Sequence, residues 1–173
     1  MKAVVVYESH WGNTEAVARA IAAGIGQGAT ALTTDEAAGP AIAGAEMIVA
    51  GAPVMAFGLP GDRALAELEK TADTAQRPPD LSHPSLRTWL AGLPAGRGVA
   101  AAFETRIWWS PRGATGTIER ELAKAGYRPI AKGQRFVVAG QYGPLREGEL
   151  DKARQWGREL AAALGVSVTP VMT

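Results

Sequence analysis

The sequence predicts a doubly wound α/β domain, in which helices cover both faces of one parallel sheet. Short, mostly apolar runs recur along the chain, and this pattern is typical of strands buried on both faces. Segments with helical spacing of apolar side chains lie between these runs. The composition, 47% hydrophobic and 20% charged over 173 residues, is that of a folded domain. We therefore expect a single domain over residues 1–173.

Five strands are predicted. Four apolar runs bounded by Gly, Pro or polar turn residues indicate strands at 3–7, 46–52, 98–103 and 135–139. A weaker strand is predicted at 30–34, where Ala, Leu and Thr alternate. Because helical segments separate them, the strands should be joined by right-handed crossovers and should lie parallel.

Five helices are predicted from apolar residues three or four positions apart. The residues that mark them are Val17, Ile21 and Ile25; Leu65 and Leu68; Leu86, Trp89, Leu90 and Leu93; Ile118 and Leu122; and Leu150, Ala153, Gly157, Leu160, Ala161 and Leu164. The segment 73–82, which contains Pro78 and Pro79, predicts a surface excursion between two helices.

Composition and charge exclude several functions. The chain has no cysteine, so thiolate chemistry, Cys-ligated zinc and iron–sulfur clusters are excluded, and two histidines make a His-rich metal site unexpected. A net charge of +1, from 18 basic and 17 acidic residues, does not indicate nucleic-acid binding. No apolar stretch predicts a membrane span or a signal peptide, and we expect a cytoplasmic protein.

The loop after the first strand predicts an anion-binding site. Ser9 and Thr14 supply hydroxyls, Asn13 supplies an amide, and Gly12 permits a sharp turn directly before an amphipathic helix. The start of a helix presents unpaired N–H groups that attract anions. The loop has no Lys or Arg and no P-loop motif, which favours a mononucleotide phosphate over a triphosphate. The alternative interpretation is that these polar residues only cap the helix.

Residues 5–21 resemble the flavodoxin signature. The shared pattern is two apolar residues and an aromatic (Val5, Val6, Tyr7), then Ser9, Gly12 and Thr14, followed by a helix with a small residue at Ala18. Trp11 departs from the second hydroxyl of short flavodoxins and is similar to the aromatic residue in flavodiiron proteins and related quinone reductases. The resemblance implies a flavodoxin-like three-layer sandwich with strand order 2-1-3-4-5 and FMN as cofactor.

The resemblance further implies that the loops after strands three and four hold the flavin ring. The cofactor-binding residues expected from the three loops are Ser9, His10, Trp11, Gly12, Asn13 and Thr14; Pro53, Val54, Met55, Ala56, Phe57 and Gly58; and Phe103, Glu104, Thr105, Arg106 and Trp108. Met55 is equally well explained by core packing, and Gly58 by a turn. His10 is expected to be exposed and to offer its backbone N–H, and no catalytic or metal-binding residue is predicted.

Three residues at the end of the fourth strand, Arg106, Trp108 and Trp109, carry specific expectations. An Arg106 guanidinium beside the flavin would stabilise the negative charge of the reduced ring, unless Glu104 pairs with it or Arg106 is simply solvated. The adjacent indoles of Trp108 and Trp109 cannot both face inward, so at least one should cover a pocket or meet a partner.

Three functions follow for the chain. The first is an FMN-binding electron-transfer protein or small oxidoreductase, acting with a partner protein or small-molecule acceptor that the sequence does not identify. The second is an NAD(P)H- or quinone-dependent flavin reductase of the same fold. The third is a flavin-free binding module. The near-neutral charge and the basic final third argue against an acidic carrier of the usual flavodoxin type.

Overall fold

The computed structural model describes residues 1–165, and these form a parallel sheet with helices on both faces. The strands are β1 (Ala3–Tyr7), β2 (Ala29–Thr33), β3 (Met47–Pro53), β4 (Val99–Ile107), β5 (Arg128–Pro129) and β6 (Gln134–Val138). The helices are α1 (Asn13–Ile25), α2 (Asp62–Thr71), α3 (Leu86–Ala91), α4 (Thr115–Lys124) and α5 (Glu149–Ala163). Residues 166–173, which the predicted single domain includes, lie outside the described residues.

The strand order confirms the doubly wound prediction. The path is β2-β1-β3-β4, and β5 and β6 both pair with the far edge of β4, all in parallel. β5 lies beside Val99 and Ala100, whereas β6 lies beside residues 103–107. The order is therefore the expected 2-1-3-4-5, with the last position shared by two successive strands. The two-residue β5 was not predicted because it is exposed and has no apolar pattern.

Burial of both sheet faces explains the apolar runs. In β1, Val5 packs with α1 and α5 on one face, whereas Val4 and Val6 pack with α3 and α4 on the other. α1 and α5 lie close together because Gly157 has no Cβ to meet the Ile21 carbonyl. The predicted helices are all present, although α2 has no fully buried side chain.

β4 is longer than the sequence predicts. The predicted strand ends at residue 103, but β4 continues to Ile107 and carries three buried polar side chains, Glu104, Thr105 and Arg106. Four of the five residues expected in the loop after this strand, Phe103, Glu104, Thr105 and Arg106, therefore lie in β4. Polar side chains are tolerated here because two of them find hydrogen-bonding partners: Glu104 accepts from the Ala114 N–H, and Thr105 bonds Thr14.

Candidate functional site

A cavity of about 310 Å³ lies beyond the carboxyl ends of β1, β3, β4 and β6. This is the edge at which parallel α/β sheets bind ligands. Eleven of the residues expected to bind a cofactor line it: Ser9, His10, Trp11, Asn13, Thr14, Pro53, Val54, Met55, Ala56, Thr105 and Arg106. The sequence did not indicate four further lining residues, Ile107, Val138, Gly140 and Gln141.

The β1–α1 loop directs the start of a helix at this cavity. Gly12 adopts the left-handed conformation, with φ of 91°, and its N–H donates to Ser9 Oγ at 3.1 Å. α1 begins at Asn13, so the N–H groups of its first turn have no partner within the helix. Ser9 Oγ only accepts in its bond with Gly12, and its own proton is free to be donated. The loop therefore offers several donors to one anion.

Thr14 fixes this loop to the neighbouring strand. Its Oγ1 lies 2.8 Å from Oγ1 of Thr105 on β4, and both side chains are buried. When Thr105 donates to Thr14, the Thr14 proton remains available to a ligand. The bond also sets the distance between the helix start and the end of β4.

His10 is buried, which corrects the expectation of an exposed residue. Only 5% of its surface is exposed, and its Nε2 lies 2.8 Å from Glu8 Oε2. Glu8 Oε1 accepts from the Leu86 N–H at 2.7 Å, so Glu8 joins His10 to the start of α3. The Nδ1 atom of His10 is buried and has no hydrogen-bond partner within residues 1–165.

The excursion at 73–82 covers the outside of this loop. The Trp11 Nε1–H donates to the Arg77 carbonyl at 2.8 Å, and the Asp80 N–H donates to the His10 carbonyl at 2.8 Å. Trp11 also packs edge-on against Tyr142, with 5.1 Å between ring centroids. The Ser82 hydroxyl and N–H donate to Asp80 and hold the pKa of that carboxyl below its usual value. These contacts hold the loop from its solvent side.

The loop after β3 turns back sharply at the cavity. Met55 and Gly58 exchange two backbone hydrogen bonds of 2.8 and 2.9 Å, and the residues between them, Ala56 and Phe57, have φ of 48° and 69°. Positive φ at two successive non-glycine residues is uncommon and marks a strained tight turn. The turn places Met55 and Ala56 against the cavity and leaves Phe57 51% exposed.

Arg106 supplies a buried cation to the cavity. The residue is only 8% exposed, and its Nε has no hydrogen-bond partner among the described residues. Its Nη1 lies 3.8 Å from Glu104 Oε1, which is long for an ion pair. Glu104 is also held by the Ala114 N–H at 2.9 Å. The guanidinium therefore keeps donors for a further acceptor.

Six of the residues expected in the site do not line the cavity. Phe103 lies in the core, where its ring packs against Phe136 and fills the space left by Gly51. Glu104 does not line the cavity, and its carboxylate lies behind Gly113. Gly12 and Gly58 shape their loops, and Phe57 and Trp108 are exposed to solvent. Trp109 is exposed as well, so neither indole covers the cavity.

Comparisons with known proteins identify the fold. No family model matches the chain, and no curated protein matches it. An archaeal flavodoxin structure matches with 24% identity and a TM-score of 0.65 over 95% of this chain and 99% of that one. The Flv1 flavodiiron core from Synechocystis sp. matches with 20% identity and a TM-score of 0.58, over 95% of this chain and 36% of that one. A WrbA-like flavodoxin from Agrobacterium tumefaciens matches with 18% identity and a TM-score of 0.58, over 95% of this chain and 97% of that one.

The chain therefore has the flavodoxin-like fold, as the β1–α1 signature predicts. None of the helices within residues 1–165 combines the length and apolar character that a membrane crossing requires. In the same part of the chain, no cluster of three or more His, Asp and Glu side chains has the arrangement of a metal site.

Proposed function

We propose that the chain binds FMN in the cavity at the carboxyl ends of the strands and acts as a flavin-dependent redox protein. One observation carries the proposal: the donor-rich start of α1 and the buried Arg106 open into the same cavity as the strained turn at 55–58. An anion cradle and a largely apolar wall in one cavity suit a ligand with a phosphate at one end and a flat ring at the other.

The residues present fit this cofactor. The phosphate would be held by the first-turn N–H groups of α1 and the hydroxyls of Ser9 and Thr14. Such donors can bind a phosphate without a Lys or Arg side chain. Pro53, Met55 and Ala56 would form one wall for the ring, and the Arg106 guanidinium would supply positive charge at its polar edge. When bound, FMN would supply one- and two-electron chemistry, and the chain would position it and adjust its charge balance.

An oxidoreductase with a small-molecule partner is favoured over an acidic electron carrier. Docking by an acidic field requires a large negative charge, whereas this chain has a net charge of +1. Two exposed tryptophans beside the end of β4, Trp108 and Trp109 at 64% and 57% exposure, provide apolar surface near the cavity.

The first experiment measures flavin binding directly. Purified protein should be yellow or should become so with added FMN, and titration should give a saturable change in flavin absorption. Thr14→Ala should weaken FMN about tenfold or more and riboflavin much less, because only FMN carries the phosphate. Thr71→Ala, at an exposed threonine of α2, is the matched control and should leave both affinities unchanged.

The outcomes separate the three functions. Protein that stays colourless in excess FMN overturns the proposal and leaves a flavin-free binding module. Equal losses of FMN and riboflavin in Thr14→Ala would show that the loop does not hold phosphate. With FMN bound, oxidation of NADPH by a quinone above the rate of free flavin identifies a reductase, and its absence favours a carrier.

A further inference from the structure

A second groove lies on the other side of the Met55–Gly58 turn. Its volume is about 790 Å³, and four arginines line it: Arg63 from α2, Arg87 from α3, Arg112 from the β4–α4 loop and Arg120 from α4. No aspartate or glutamate lines this groove. We call it the arginine groove.

The four guanidinium groups are not neutralised by neighbouring acids. Within residues 1–165, none of them forms an ion pair with a carboxylate. Arg87 donates to the Leu59 carbonyl at 2.9 Å and Arg120 to Thr117 Oγ1 at 3.3 Å. Both are neutral acceptors, so neither bond offsets the charge of its arginine.

The backbone adds to this positive potential. α2 begins at Asp62, after Gly61, and α4 begins at Thr115, two residues after Gly113; both glycines line the groove. Helix starts carry partial positive charge, and the first turn of α4 has no acidic side chain. Asp62 lines a different cavity, beside Glu8.

The groove adjoins the proposed FMN cavity. Met55 and Ala56 line both spaces, so only the turn at 55–58 separates them. Phe57 lies on the rim with half its surface exposed and offers a flat apolar contact. A molecule held in the groove would therefore extend toward the edge of the cavity.

We propose that the arginine groove binds a dinucleotide that carries two or more phosphates and a nicotinamide ring, and that this dinucleotide, as a hydride donor, is the reductant of the proposed flavin site. Guanidinium groups bind phosphates through paired, charge-assisted hydrogen bonds, and four of them exceed what one phosphate requires. The concave shape and the volume favour a molecule of nucleotide size over a flat protein surface. The role as redox partner rests on the proposed FMN function, whereas binding in the groove does not.

Isothermal titration calorimetry of the purified protein tests the inference. We expect saturable binding of pyrophosphate, ADP and NADPH, which weakens as salt rises, and NADPH should bind more tightly than NADH because of its extra phosphate. Arg63→Gln with Arg112→Gln should weaken NADPH at least tenfold. Arg63 and Arg112 form no ion pair within the described residues, and the side-chain hydrogen bonds given above belong to Arg87 and Arg120, so the melting temperature and the FMN affinity should stay unchanged.

The matched control removes the same charge elsewhere. Arg97 and Arg128 are exposed at the amino ends of β4 and β5, and Arg97→Gln with Arg128→Gln should leave NADPH affinity unaltered. An equal loss in both double variants would show a general charge effect and would overturn the inference. Absence of saturable binding by all three probes would overturn the inference too. Polyglutamate serves as a fourth probe, and its binding without binding of the other three would overturn the inference and indicate that the groove binds an acidic macromolecule. The protein could fail to take up FMN and still lose NADPH binding in Arg63→Gln with Arg112→Gln. That pair of results would support the groove and refute only the flavin site.

Discussion

Thr14 and Thr105 share a buried hydrogen bond of 2.8 Å between their hydroxyl oxygens, although 91 positions separate them. Thr14 lies in the first turn of α1, and Thr105 lies near the end of β4. The bond joins the donor-rich start of the helix to the strand that carries Arg106. One contact thus links the two parts of the proposed cofactor site.

Thr105→Val should therefore destabilise the protein and weaken FMN. Valine matches the shape of threonine but leaves the buried Thr14 hydroxyl without this partner, which costs about 1 kcal/mol or more in the free energy of unfolding. Urea denaturation measures the loss, and Thr71→Val, at an exposed site of α2, serves as the control. Unchanged stability together with unchanged FMN affinity would show that the bond has no structural role.

Glu8 joins two segments through its two oxygens, and its removal should be costly. Glu8→Ala leaves the Leu86 N–H and His10 Nε2 buried without a partner, at about 1–3 kcal/mol for each group. Glu8→Gln keeps an acceptor for Leu86 and should cost less. Glu67→Ala removes an exposed carboxylate, 3.8 Å from Lys70, and should cost less than about 1 kcal/mol. Similar unfolding midpoints for Glu8→Ala and Glu67→Ala would contradict this interpretation.

The sequence predicts most of the fold because burial leaves a strong pattern. β1 and β3 are apolar at nearly every position, since both sheet faces are covered, and the spacing of Val17, Ile21 and Ile25 matches one buried helix face. The end of β4 was missed because Glu104, Thr105 and Arg106 look like loop residues. They can be buried because distant groups, such as the Thr14 hydroxyl, pair with them.

The site is less predictable, because its residues meet only in the folded chain. The β1–α1 loop is continuous in sequence, so its donors were found together. His10 was expected to be exposed, since the groups that enclose it and Glu8, the backbone of Asp80 and of Leu86, are distant in the sequence. The four arginines of the second groove come from four separate segments, and no spacing connects them.

The stability of the protein should fall at high pH because of Tyr7. Burial, with a further contribution from Glu15, raises the pKa of Tyr7 to about 12, and its hydroxyl donates to Glu15 at 3.1 Å. Unfolded tyrosine loses its proton near pH 10, so the contribution is complete below pH 10 and is lost as the pH rises to about 12. Urea denaturation between pH 9 and 12 measures the decline, and Tyr7→Phe should make it less steep. An equal slope in Tyr7→Phe would mean that other groups cause it.

Gly157 and Gly116 should respond in opposite directions to the same substitution. A Cβ at Gly157 of α5 would collide with the Ile21 carbonyl and approach the Ile25 nitrogen of α1 to 2.9 Å. Separating the helices should cost about 1–3 kcal/mol or more in Gly157→Ala. A Cβ at Gly116 of α4 meets nothing within 4 Å. Gly116→Ala should therefore raise the free energy of unfolding by about 0.5–1 kcal/mol, because alanine has a higher helix propensity than glycine. Thermal unfolding of both variants decides the matter, and a shared sign would refute the packing argument.

Arg106 should raise the reduction potential of bound FMN. A flavin gains negative charge near N1 and O2 on two-electron reduction, and a buried guanidinium with an unpaired Nε stabilises that charge. Arg106→Gln should lower the midpoint potential by about 30 mV or more, which corresponds to about 1.4 kcal/mol for two electrons.

Glu104→Gln should raise the midpoint potential of bound FMN, because it removes the carboxylate 3.8 Å from Arg106. Arg128→Gln, at the distant β5, controls for net charge. Spectroelectrochemical titration measures all three variants, and a potential that moves equally in Arg106→Gln and Arg128→Gln would exclude Arg106 from the flavin environment.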